Sequence, residues 1–232
     1  MFFFDPIYML VLLPALALMI YAQIRVKRTY SRYAQVANMH GYTGAQVAQL
    51  LLRDSGLTDV NIEAIPGELT DNYDPRGKVL HLSQGVYGGQ SVAALGIVAH
   101  EVGHAVQDNQ GYMPMRLRAS LVPMANLGSQ IGPWMVILGI WMQFTGMVWL
   151  GIIFFAAAVA FSLVTLPVEL NASSRAMVML TRTGLVSTVD ADGARQVLSA
   201  AALTYVAALL VAMVQLLYFV MRAMGMGGRD ND

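Results

Sequence analysis

The chain has 232 residues, no cysteine, a formal net charge of zero and a pI near 6.9. Disulfides and thiolate metal sites are thereby excluded, and no global basic field recommends nucleic acid as a partner. With 56% hydrophobic residues, 12% charged residues and a mean hydropathy of +0.55, the charge fraction is about half that of an ordinary soluble domain, so the lipid bilayer is the expected partner.

The first apolar run, residues 7–24, lies near the lower limit for crossing a bilayer. Its cations Arg25, Lys27, Arg28 and Arg32 follow the run rather than precede it. This reads as an uncleaved anchor over 1–25 rather than a signal peptide. A polar region, 26–118, comes next. Thr43 can cap a helix through Val47, Leu50 and Leu51 to Ser55, with Gly56 as its stop. Residues 60–65 alternate as a short strand, 71–77 are rich in turn residues, and 78–82 read as a second strand, giving a hairpin-like pair. After a loop at 85–89 a helix is expected over about 91–108.

Three further spans are expected at 121–141, 147–168 and 197–220. Trp141 and Trp149 flank the turn at 143–146, where headgroup-level aromatics belong, and Trp134 reads as a packing residue deeper in its span. The expected class is an α-helical integral membrane protein with about four transmembrane helices and a small α+β catalytic subdomain. Its divisions are the anchor 1–25, a subdomain 26–118, a helical hairpin 119–168, a loop or helix 169–196, a last span 197–222 and a flexible tail 223–232. With the N-terminus outside, 12 of the 14 Lys and Arg residues fall in 25–118 or 170–196, so the positive-inside rule turns those regions to the cytoplasm of the cell membrane.

The helix expected over about 91–108 carries His100-Glu101-Val102-Gly103-His104. Positions i and i+4 share a helix face, so both imidazoles converge and can hold zinc, with Glu101 as general base toward an attacking water. Val92, Leu95, Ala99, Val102 and Val106 fall in one apolar stripe opposite the polar trio, which would face a cleft. Gly103 leaves room for a neighbouring element or substrate to approach.

Catalytic zinc usually takes three protein ligands. The remaining histidines are His40 and His81, and the carboxylates include Asp54, Asp59, Glu63, Glu68, Asp71, Asp74, Asp108, Glu169, Asp190 and Asp192. Glu169 stands out because an ionisable group at the end of a span needs a partner, and that span returns to the side of the histidine helix. The bland reading pairs it with Arg175 or makes it a helix cap.

His100-Glu101-x-x-His104, followed across two spans by Glu169-Leu170-Asn171-Ala172-Ser173, resembles the gluzincin layout of integral-membrane metallopeptidases. Similarity to the YugP-type neutral zinc metallopeptidase family of bacterial membrane proteins extends through Tyr73-Asp74-Pro75-Arg76, the residues around His100, Leu166-Pro167-Val168-Glu169 and 201–207. The resemblance implies a zincin-like subdomain, a Zn2+ cofactor on His100, His104 and Glu169, Glu101 as base, and a peptide or membrane-protein substrate. The heat-shock and prenyl-protein-processing membrane peptidases, more distantly similar, have an aspartate four residues after the third ligand; here Ser173 stands there, and Ser173 or Asn171 is left to support a histidine. Tyr73, Tyr112, Arg76 and His81 are eligible by type as oxyanion stabilisers, and the strand 78–82 could offer its edge to an extended substrate.

The rival readings are a site-2-protease-like intramembrane enzyme, a non-catalytic membrane scaffold with a four-ligand structural zinc, and a transporter. The first expects a Leu-Asp-Gly ligand setting absent from this chain, and the last expects midplane charges that these spans lack. Oligomeric state, regulator and substrate identity are left open by the residues.

Overall fold

The computed structural model describes residues 6–227. Among these the elements run α1 (Pro6–Tyr33), α2 (Gly44–Asp54), β1 (Asn61–Ile65), β2 (Asn72–Asp74), β3 (Val79–Ser83), α3 (Gln84–Tyr87), α4 (Val92–Asn109), α5 (Met113–Trp141), α6 (Thr145–Arg182) and α7 (Thr188–Gly227). The fold is mostly helical with one small three-stranded sheet, and α1, α5, α6 and α7 are long and apolar enough to cross a membrane. The chain divides into two compact units, residues 1–21, 116–167 and 204–232 forming one and residues 22–115 and 168–203 the other.

The first unit holds the apolar lengths of the long helices. Its core gathers Tyr8, Val136, Val148, Ile152, Phe155, Val159 and Phe219. Small residues set how closely α5 and α6 approach: a Cβ added at Gly128 would meet the Phe154 carbonyl oxygen at 2.0 Å, and one at Gly132 the Gly151 oxygen at 2.9 Å. Such close backbone contact is how membrane helices gain packing without a hydrophobic drive between them. Trp134, expected inside, is 65% exposed; on a lipid-facing helix side an indole needs no protein partner. Trp141 and Trp149 are both exposed on either side of the α5–α6 turn.

In the second unit the Thr43 cap is present as a full capping box, its hydroxyl accepting from the Gln46 amide and the Gln46 side chain accepting from the Thr43 amide. Helix α2 ends at Ser55 and Gly56 follows with φ of 71°, the left-handed geometry glycine adopts without strain. Leu50 faces outward at 40% exposure.

The strands differ from the hairpin expectation. β1 pairs with β3 in parallel, Asn61 opposite Val79, and the antiparallel partner of β3 is β2, giving the order β1-β3-β2. The turn-rich stretch 71–77 is itself half strand: Asn72-Tyr73-Asp74 pair with β3, and the chain reverses through Pro75-Arg76-Gly77, where the Asp74 carboxylate accepts from the Arg76 amide at 2.9 Å. Consequently β3 is the central strand and has no free edge for a substrate strand. The expected loop at 85–89 begins as the short helix α3.

Helix α4, capped by the Ser91 hydroxyl on the Ala94 amide at 3.2 Å, is buried on nearly every side rather than along one stripe. Val92, Leu95, Val98 and Val102 join a core with Val47, Leu51, Leu80, Leu82 and Val86. Its small residues form a second packing surface. A Cβ on Gly96 would touch Ala194 of α7 at 3.4 Å, and one on Gly103 would meet the Ala172 oxygen of α6 at 2.7 Å. A hydrophobicity pattern undercounts glycine and alanine, so of this second face only the room left by Gly103 was expected. The segment 169–196, expected as a loop or helix, is the end of α6, a short turn and the start of α7. Of the expected flexible tail, 223–227 are helical and the rest lies outside the described residues.

Candidate metal centre

Helix α4 supplies His100, Glu101 and His104, and α6 supplies Glu169 two residues after Pro167. The close approach at Gly103 lets a short carboxylate reach both imidazoles. His100 Nε2 lies 3.1 Å and His104 Nε2 3.5 Å from Glu169 Oε2, and the rings meet edge to face with centroids 4.7 Å apart. One donor atom from each residue falls within 4.8 Å of the others. A tetrahedral zinc site with bonds of about 2.0–2.1 Å has donor–donor edges of about 3.3 Å, so the two short separations bracket the required value. Two imidazoles and one carboxylate are also a donor set that zinc accepts.

The surroundings are more closed than an open cleft. Glu169 is 2% exposed, and Glu101 and His104 are 8% exposed. Burial pushes the Glu101 carboxyl above its ordinary value, with His100 and His104 pulling the other way. Both Nδ1 atoms are engaged away from the donor cluster. Ser173 Oγ lies 3.2 Å from His100 Nδ1, and Gln107 Oε1 lies 3.0 Å from His104 Nδ1. Gln107 is fully buried and donates from Nε2 to the Val168 carbonyl and to Asn171 Oδ1, each at 2.9 Å. Gln107 was not singled out in the sequence; its signal was its place one helical turn after His104.

The other carboxylates that were weighed have different work. Asp54 pairs with Arg182, Asp59 with Lys78 and Asp192 with Arg195. Asp71 accepts from the Ser83 amide and hydroxyl. Asp190, in the first turn of α7, closes a capping box with Ser187, accepting from the Ser187 amide while its own amide donates to the Ser187 hydroxyl. Arg175, the bland partner for Glu169, donates instead to Asn171 and to Gln110.

Of the eligible oxyanion stabilisers, the Tyr73 hydroxyl donates to Asp108 at 2.9 Å, and burial together with that carboxylate pushes its pKa up. Tyr112 lies beneath the Arg175 guanidinium at 5.9 Å. Arg76 is exposed in the β2–β3 turn. His81 is half-buried on the central strand, 3.1 Å from Asn72 Oδ1. His40 lies 3.0 Å from the Gly184 carbonyl.

Comparison with known proteins bears on this geometry. The model of a family described as "Putative neutral zinc metallopeptidase" matches residues 8–224. The chain belongs to that family. It is 42% identical over 226 residues to "Putative membrane protease YugP" of Bacillus subtilis (strain 168), covering 97% of this chain and the whole of the relative. No solved structure matches significantly. The resemblance carried by the His100 and Glu169 motifs is thus borne out at the level of the family.

Proposed function

We propose that the protein is a membrane-embedded zinc metalloendopeptidase that hydrolyses peptide or membrane-protein substrates at the cytoplasmic surface of the cell membrane. Its zincin-like catalytic subdomain comprises α2, the sheet, α4 and the part of α6 that bears Glu169, anchored by the N-terminal span and the three later ones. The observation that carries the reading is the meeting of two Nε2 atoms and one carboxylate oxygen at separations of 3.1 and 3.5 Å, beside a second buried carboxylate.

His100, His104 and Glu169 hold the metal. Zinc bound there supplies Lewis-acid polarisation to a scissile carbonyl and to an attacking water. Glu101 takes the proton from that water and later delivers it to the leaving amine. Ser173 lies against Nδ1 of His100, so that ring offers Nε2 to the metal.

Length supports a site at the membrane surface. Helix α6 has 38 residues, about 57 Å at 1.5 Å per residue, far more than a hydrocarbon core of about 30 Å. The apolar stretch 147–168 spans that core and leaves Glu169 just beyond it. The cation distribution supports a cytoplasmic location for this end.

The test is Glu101→Gln in the purified full-length protein, with zinc content and casein cleavage measured together. Zinc should be retained and turnover should fall by at least about 100-fold, the scale of general acid–base catalysis. Unchanged turnover would sink the hydrolase reading. Glu169→Ala should release the metal; full occupancy would remove Glu169 from the ligand set.

A further inference from the structure

We propose that Gln107, aligned by Asn171 and Arg175, is a positioning residue that holds His104 with its proton on Nδ1 and so reserves Nε2 for the metal. The inference rests on the zinc-ligand reading above and adds three residues to it.

Two groups around Gln107 have a fixed hydrogen-bonding sense. The Val168 main-chain carbonyl can only accept, and Gln107 meets it at 2.9 Å. The Gln107 atom there is therefore its NH2 group. Its other end, Oε1, can only accept, and it lies 3.0 Å from His104 Nδ1. That nitrogen is accordingly the donor.

The second NH2 hydrogen of Gln107 needs an acceptor as well, and Asn171 Oδ1 lies 2.9 Å away. Asn171 could reverse its amide, but Arg175 prevents it. Arg175 Nε, which can only donate, lies 2.7 Å from the same oxygen. The guanidinium is steadied in turn by Gln110 Oε1 at 2.7 Å and by the Tyr112 ring. An unambiguous acceptor at one end and an unambiguous donor at the other thus set every amide between them.

Burial gives the arrangement force. Gln107 is 0% exposed, so no water is at hand to replace a reversed partner, and a mismatched amide would leave buried polar atoms unpaired. Partners of this kind, behind the ligands, commonly govern metal affinity by about 10- to 100-fold. The two histidines are also held unequally. His100 has a rotatable hydroxyl behind it and His104 a locked amide.

The test measures zinc dissociation constants of the full-length protein at fixed pH, by competition with a chromogenic chelator, alongside the melting temperature of the metal-free form. Gln107→Met should weaken zinc binding by about 10- to 100-fold. Arg175→Met, changed at the more exposed end of the relay, should weaken it in the same direction by less. If Gln107→Met lowers only the metal-free melting temperature and binds zinc as tightly as the parent, the residue is structural and the proposal fails. If Gln107→Met does not fold, Arg175→Met decides: weakened zinc supports the relay and unchanged affinity overturns it. Loss confined to these variants is distinct from failure of the ligand set, which would appear as zinc retained at full occupancy in Glu169→Ala or never bound by the parent.

Discussion

Ser173 Oγ lies 3.2 Å from His100 Nδ1, at the offset where a carboxylate would hold the ring more firmly. A hydroxyl both donates and accepts, so it steadies the ring without fixing its proton as strongly as an anion would. Ser173→Ala is expected to weaken zinc by up to about 10-fold, the low end for such partners, in the chelator competition assay. Asp71 makes a separate prediction. Burial raises its pKa despite the Ser83 hydrogen bonds, so the folded state binds its proton more readily than the unfolded state. Its contribution is fully present below the unfolded value of about 3.9 and is lost as pH rises through the folded value. Relative to Asp71→Asn, which keeps the oxygen facing the Ser83 amide, the parent should therefore gain melting temperature as pH falls from 7 toward 4. A gap between the two that stays constant with pH would contradict this.

Helix α4 shows what can be read along a chain and what cannot. Its span, its Ser91 start and its two histidines were legible because spacing and capping chemistry are local. Its full burial was not, because Gly96 and Gly103 signal contact with α7 and α6 only once those helices are in place. The sheet failed for a related reason. Two strands separated by turn residues suggest a hairpin, but 71–77 was long enough to contribute β2, which leaves β1 and β3 parallel. Glu169 was found from its position at the end of a span, whereas Gln107 was passed over because a glutamine near a helix end is usually solvated. Gly103→Ala follows from this scale. The added methyl would stand 2.7 Å from the Ala172 oxygen, so α4 and α6 must separate. We expect about 1–3 kcal/mol of lost stability, the usual cost of overpacking, with weaker zinc binding from the displaced Glu169. Unaltered thermal unfolding and zinc affinity would show that the crossing has slack.

Taken whole, the molecule was legible in its number of long apolar helices, since hydropathy alone reports them. The extent of those helices was not, because α6 and α7 continue as helix into the second unit, where the sequence turns polar and periodicity weakens. The lack of native cysteine makes the proposed orientation directly testable. Arg76→Cys in the exposed β2–β3 turn should be shielded from a membrane-impermeant maleimide in intact cells, and Gln143→Cys in the α5–α6 turn should be labelled. The reverse pattern would turn the proposed catalytic face outward.

The donors of the trio are also far apart in time. His100 and His104 leave the ribosome well before Glu169, with the whole of α5 and most of α6 translated in between. A nascent or prematurely terminated product ending short of residue 169 carries a pair of imidazoles and no third donor. Assembly of the centre therefore has to wait until α5 and most of α6 have been made, with the end of α6 and all of α7 still to follow.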